Sequence, residues 1–142
     1  MVQKNILEQI DDDRLRVHVV WMPVLGGDDR AAAEKAPELI TDSRATHYWN
    51  GDQSLGIVYG KTVELPRGRD LAWDIYFVFD TGVEWGAQAP LPTDWAHRLG
   101  QDQRHLEDGR RLRQAIEALL EAIEARAPPI PGDRLVGGLR RS

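Results

Sequence analysis

One apolar stretch constrains the fold of this chain more than any other part of its sequence. Residues 17–25 read VHVVWMPVL and are followed by two glycines and two aspartates. The stretch is rich in β-branched residues, which predicts a strand buried on both faces, as in the middle of a parallel sheet. Pro23 cannot donate to a β-ladder, so we expect the strand to end just before it. Asp28 or Asp29 is then predicted to cap a helix that begins near Arg30.

Composition narrows the functional class. The 142-residue chain has a net charge of −5 and 42% hydrophobic residues, which indicates one soluble domain with a substantial core. The acidic balance argues against a nucleic-acid binder or a protein of anionic membranes, and no apolar run approaches the roughly 20 residues that span a bilayer. The absence of cysteine excludes disulfides, thiolate metal sites and thiol catalysis. The first residues do not read as a signal peptide, so the cytoplasm is the default expectation for location.

The remaining patterns predict an alternation of strands and helices. A second strand is expected over residues 45–49, followed by a helix from about Asp52. A third strand is expected over residues 71–79, and a tight turn then leads into an antiparallel return strand that begins at 83–85. The clearest helix lies within 104–124, where apolar residues recur at i, i+4, i+7 and i+8.

These elements predict a domain over residues 15–126, with an N-terminal extension at 1–14 and a flexible C-terminal tail at 127–142 that is rich in Pro, Gly and Arg. Right-handed crossovers make the first three strands parallel, and the hairpin adds an antiparallel edge. One apolar cluster is expected to join the central sheet to the last helix, formed by Val19, Ile75, Phe77 and Ile116.

Four stretches carry a resemblance to a known family. Trp21 is similar to the tryptophan that ends the family's central strand, and APEL at 36–39 is similar to the proline-bearing helix that follows it. The segment 49–60, which begins WNGDQSL, resembles the next strand, turn and helix, and 74–82 is similar to the strand and turn after the family's cis-proline. In this order they resemble the thioredoxin-like superfamily, in its thiol-disulfide oxidoreductase and peroxiredoxin-like branch. The resemblance implies an α/β three-layer fold, with a central mixed sheet of about four strands flanked by helices.

The chain departs from that family at both parts of its redox site. Residues 22–27 read MPVLGG where the family has its cysteine pair, and Trp73-Asp74 stand where it has its cis-proline. A thioether cannot become a thiolate nucleophile, so Met22 cannot replace the attacking cysteine. The resemblance therefore implies the architecture without the thiol oxidoreductase activity, and no cofactor is expected.

The leading functional hypothesis is a redox-inactive domain that binds a protein or peptide in the groove between residues 21–23 and 73–74. The candidate ligand-binding residues are Trp21, Met22, Pro23, Asp28, Asp29, Trp49, Trp73 and Asp74. One alternative is a non-thiol enzyme or metal-binding protein that reuses the same site through Asp and His residues. Another is a structural or assembly module that forms homo-oligomers by pairing its C-terminal helix with that of another chain.

Several of these residues also have a purely structural interpretation. Asp28 and Asp29 suit a helix cap and its dipole. His18 lies within the predicted central strand, where a buried, hydrogen-bonded histidine is expected rather than a ligand. Five tryptophans suit core packing, although a partly exposed Trp73 suits a binding groove better.

Overall fold

A computed structural model of the protein describes residues 1–65, 68–100, 105–106 and 108–128. It is a mixed α/β structure. In chain order the elements are a single π-helical turn at Gln3–Leu7, β1 at Val17–Trp21, α1 at Arg30–Lys35, a 3-10 turn at Ala36–Leu39, β2 at Ala45–Trp49, α2 at Ser54–Thr62, β3 at Ile75–Val78, β4 at Asp94–His97, and α3 at Arg111–Arg126. None of the helices described in those ranges is both long and apolar enough to cross a membrane.

The four described strands form two separate two-stranded sheets. β1 and β2 are parallel, with Val17 opposite Ala45 and Trp21 opposite Trp49, as the crossover through α1 requires. β3 and β4 are antiparallel. A single central sheet of four strands is not shown, because the chain before β3 bonds to a helix instead of returning beside β1. The Ala72 amide donates to the Gly56 carbonyl of α2 at 2.9 Å.

The start of the domain follows its local sequence signals. β1 ends at Trp21, two residues before the proline. Asp29 caps α1 by accepting a hydrogen bond from the Ala32 amide at 2.8 Å. The helix changes to a 3-10 turn at Ala36, one residue before Pro37, because proline lacks the amide hydrogen that an α-helix needs in its interior.

The β3–β4 sheet forms the middle of the fold, with a core cluster on each face. The first core cluster contains Ile6, Ile10, Val78, Leu112 and Ile116. The second core cluster contains Tyr59, Leu65, Ala72 and Leu99. Successive side chains of a strand point to opposite faces, so Tyr76 and Val78 belong to the first cluster while Ile75 and Phe77 pack against the second. The expectation of one cluster containing Val19, Ile75, Phe77 and Ile116 is therefore wrong.

The N-terminal residues pack on the same face of that sheet as α3. Ile6 and Ile10, within the segment expected to be an extension, are 2% and 5% exposed in the first core cluster. Arg44 holds this segment to the start of β2, since its guanidinium donates to the carbonyls of Leu7 and Ile10 at 2.6 Å each. The segment is thus part of the packed structure.

The predicted return strand at 83–85 is wrong. After β3 the chain leaves the sheet, and residues 81–88 are exposed. It rejoins β3 only at Thr93, whose amide donates to the Val78 carbonyl at 2.7 Å, and β4 follows directly. No strand was predicted at residues 94–97, which form β4; the last helix begins at Arg111. Of the predicted tail, residues 129–142 lie outside the described ranges.

β1 is also less buried than its composition predicts. None of the five residues of the strand is buried, and His18 is exposed. The apolar run was interpreted as a strand covered on both faces, but the face that carries His18 and Tyr48 is open, since both side chains are exposed and border a cavity in the described structure. The expectation of a buried His18 is wrong for the same reason.

Candidate functional site

The two sides of the predicted groove meet at one glycine of α2. A Cβ on Gly56 would lie 2.9 Å from the Met22 sulfur, 2.8 Å from Cδ1 of Leu71 and 3.0 Å from the Ala72 carbonyl oxygen. The end of β1 and the chain that leads into Trp73 therefore both pack against the first turn of α2. Gly56 was not among the predicted site residues. The only signal for it in the sequence is a glycine inside a helical pattern, which often marks a close approach of another segment.

Trp21 is fixed by a histidine on the neighbouring strand. Its indole Nε1 donates to Nδ1 of His47 at 3.1 Å, and the two rings are parallel within 3°, with centroids 6.1 Å apart. The other ring nitrogen of His47, Nε2, lies 3.1 Å from the Ile40 carbonyl. These two bonds fit the neutral imidazole with its hydrogen on Nε2. Trp21 thus has a set orientation and remains half-buried at the end of β1.

The loop after β1 is held by its own carboxylates. Oδ2 of Asp28 accepts hydrogen bonds from the amides of Val24 and Leu25, at 3.2 and 2.6 Å. Asp29 caps α1, and the Gln53 side-chain amide donates to the Pro23 carbonyl. Both aspartates therefore bond to the backbone in the described structure: Asp29 is the predicted cap of α1, whereas Asp28 bonds to the loop before the helix. These hydrogen bonds fix the path of residues 22–29.

The turn before α2 is similarly ordered. Asp52 accepts hydrogen bonds from the amide and hydroxyl of Ser54, at 3.0 and 2.7 Å, and these bonds lower the pKa of its carboxyl group. The Asn50 side chain accepts from the Leu55 amide at 3.0 Å. Trp49 lies over Gly51, where a Cβ would come within 2.8 Å of the indole Nε1. Trp49 therefore packs on its own turn, at the same end of the sheet as Trp21.

On the opposite side of the predicted groove, Trp73 and Asp74 have different environments. Trp73 is half-buried and packs against the second core cluster. Asp74 is exposed and has a left-handed backbone, with φ of +51°. Its carbonyl accepts from the Arg98 amide at 3.0 Å, and its carboxylate accepts from the Tyr76 hydroxyl at 3.2 Å. Burial, and then the negative charge of Asp74, raise the pKa of Tyr76 to about 12.

A shallow open cavity lies on the outer face of the β1–β2 sheet. Its volume is about 290 Å³, and it is lined by His18, Val20, Tyr48, Asn50 and Leu55. Nδ1 of His18 lies 3.1 Å from the Tyr48 hydroxyl. No group of three His, Asp or Glu side chains is arranged to hold a metal ion among the residues that the structure describes.

A cluster of aromatic rings reaches the surface beside β3. Tyr59 stacks on Phe77 with centroids 4.5 Å apart, and meets the edge of Trp85 at 5.6 Å and of Phe79 at 6.2 Å. Trp85 is 56% exposed. Sequence patterns did not identify this cluster, because the predicted return strand assigned Trp85 to a sheet.

Comparison of the chain with protein-family models, with curated proteins and with solved structures found no match. What the site can do chemically therefore follows from its own residues.

Proposed function

We propose that this chain is a redox-inactive binding domain of the thioredoxin-like type, which holds a protein or peptide in the groove between residues 21–23 and 73–74. The observation that carries the proposal is the packing of Met22 and of the Leu71–Ala72 segment on the same glycine of α2. This contact supports a groove in which both sides lie close to one helix. The absence of cysteine supports a role in binding rather than in thiol chemistry.

The chemistry of the groove suits a peptide or a protein surface. Trp21 and Trp73 are half-buried, and large aromatic side chains with one polar atom are common anchors in protein interfaces. Asp74 offers an exposed carboxylate that can accept a hydrogen bond from a partner N–H. Leu25, 63% exposed in the adjoining loop, adds apolar surface.

Preorganisation supports the same proposal. The Trp21 ring is held by His47, and the loop at 22–29 is held by Asp28, Asp29 and Gln53. A surface that is already ordered loses less conformational entropy when a partner binds, which favours affinity. The enzyme alternative lacks a comparable observation, since the carboxylates of Asp28 and Asp29 bond to the backbone.

The test is a selection of peptides on the immobilised protein, followed by affinity and stability measurements on two matched variants. Trp73→Ala is expected to weaken the selected peptides at least tenfold and to leave most of the thermal stability in place. Trp85→Ala removes a more exposed tryptophan outside the groove and is expected to leave affinity unchanged. Unchanged affinity in Trp73→Ala together with a clear loss of stability would show that Trp73 only packs.

A further inference from the structure

The outer edge of β1 has hydrogen-bonding groups without a backbone partner. The Val17 amide donates to the Arg44 carbonyl at 3.0 Å, and the Asn50 amide donates to the Trp21 carbonyl at 2.9 Å. Alternate residues of a strand direct their N–H and C=O groups to the same side. Val17, Val19 and Trp21 therefore bond to β2, whereas the backbone groups of His18 and Val20 point away from it. Nothing in the described part of the chain pairs with them.

This edge lacks the features that usually prevent strands from associating. Exposed edges are normally protected by charges, prolines or bulges within the strand. β1 reads VHVVW, without a charged residue or proline, and the first proline comes two residues after its end. A two-stranded sheet is also too small to be stable alone, whereas three or more strands are commonly sufficient. The strand is thus suited to receive a further strand.

We infer that β1 pairs antiparallel with β1 of a second copy of this chain, giving a symmetric four-stranded sheet in the order β2-β1-β1-β2. The two copies are related by a two-fold axis perpendicular to the sheet, so each side chain stays on the same face in both copies. Residues directly opposite each other must share a face, and only residues an even number of positions apart in the strand do so. Centring the axis on Val19, the middle of the strand, places His18 opposite Val20 of the second copy. The backbone N–H and C=O groups of His18 in each copy then form hydrogen bonds with those of Val20 in the other copy.

The side chains of this register are self-complementary. Val17 lies opposite Trp21 of the second copy, an aromatic and β-branched pair of the kind that stabilises sheets. Val19 lies opposite its own equivalent, and no like charges meet within the strand. Beyond the strand, Arg16 comes beside Met22 of the second copy, next to the loop that contains Asp28 and Asp29. That loop is acidic, so the charges at each end of the paired strands are complementary. This inference does not rest on the groove proposal, with which it shares Trp21 and Met22, or on pairing through α3.

The first test is the mass of the full chain in solution, measured by light scattering or sedimentation over a dilution series. We expect about twice the 16.0 kDa of one chain at high concentration. Amide hydrogen exchange of the unaltered protein is expected to slow at His18 and Val20 as the dimer forms. A chain that stays monomeric, or a dimer in which these two amides exchange at the same rate as in the monomer, would overturn the inference.

Two variants test the register. Val20→Pro removes an outward amide without removing a bond to β2, and is expected to give a folded monomer. Val19→Lys and Val19→Glu place like charges on the axis, so each is expected to be monomeric alone and to form a mixed dimer with the other. Thr46→Lys, on the exposed face of β2, is the control and should remain dimeric. If all three β1 variants still formed dimers, pairing through this edge would be contradicted. If the wild-type chain stayed monomeric and bound a strand of a different protein at this edge, the second copy would not be the partner of β1.

Discussion

The α-carbon of Gly60 in α2 lies directly against the carbonyl group of Asp70, so closely that a Cβ at position 60 would overlap the carbonyl oxygen and carbon. The obstacle is backbone, which cannot rotate away as a flexible side chain can. One turn earlier, the Ala72 amide donates to the Gly56 carbonyl. Two glycines on one face of α2 thus allow the chain before β3 to pack directly on the helix backbone.

Gly60→Ala is therefore expected to destabilise the protein by about 3 kcal/mol, although alanine is the better helix former. The gain in helix propensity, about 1 kcal/mol, is smaller than the cost of moving a backbone segment. Urea denaturation measures the difference. Gly26→Ala is the control, because no atom lies within 4 Å of a Cβ there and its backbone is not left-handed; it is expected to change stability by less than about 0.5 kcal/mol. Equal effects of the two changes would contradict this account of Gly60.

Arg44→Met is expected to destabilise the protein by about 2 kcal/mol or more. The guanidinium satisfies the carbonyls of Leu7 and Ile10 and bonds to both carboxylate oxygens of Asp42, and methionine leaves these groups without that donor. Denaturant unfolding is the measurement. Arg30→Met breaks the exposed Arg30–Glu34 ion pair and should cost less than about 0.5 kcal/mol. If the two substitutions cost the same, Arg44 does not hold the N-terminal segment.

Low pH is expected to weaken the contact between Arg44 and Asp42. The side-chain hydrogen bonds from Arg44, and then its backbone amide, lower the pKa of Asp42 from 3.8 to about 2. Because the folded pKa is depressed, the stabilisation is fully present above about pH 4 and is lost as the pH falls toward about 2. The thermal midpoint of the wild type should fall more steeply across this window than that of Asp42→Asn. Parallel curves for the two proteins would show that Asp42 does not contribute to the pH dependence.

Ile116→Ala and Phe77→Ala are each expected to destabilise the protein by about 3 kcal/mol, because both remove apolar contacts from a core cluster. The two residues lie on opposite faces of the β3–β4 sheet, in different clusters. Their effects should therefore add within about 0.5 kcal/mol in the double variant. A coupling energy above about 1 kcal/mol in denaturant unfolding would instead favour one continuous cluster.

Features set by neighbouring residues were predicted well. The end of β1 near Pro23 and the cap of α1 by Asp29 each depend on contacts within a few positions. Most of α3 was also evident from its apolar periodicity. These signals are local, because a cap or a proline acts through the hydrogen bonds of its own turn.

Features set by distant contacts were predicted poorly. The partner of β3 is β4, which begins 16 residues after β3 ends, and a turn signal at 80–82 favoured a closer return strand. His18 was expected to be buried because the composition of β1 does not indicate whether another layer packs on each face of its sheet. The convergence of Met22 and Leu71 on Gly56 joins three separate segments, and no short pattern in the sequence specifies such a contact.

The first core cluster has a consequence for the synthesis of the chain. It joins Ile6 and Ile10 to Leu112 and Ile116. The first two residues can therefore be buried only after a helix about a hundred positions later in the chain has been synthesised. The second core cluster uses only residues 55–99 and is completed earlier as the chain leaves the ribosome. During that interval one side of β3 and the apolar side of the first helical turn remain exposed to water. The interval before α3 emerges is therefore the stage at which the nascent protein is most prone to aggregate.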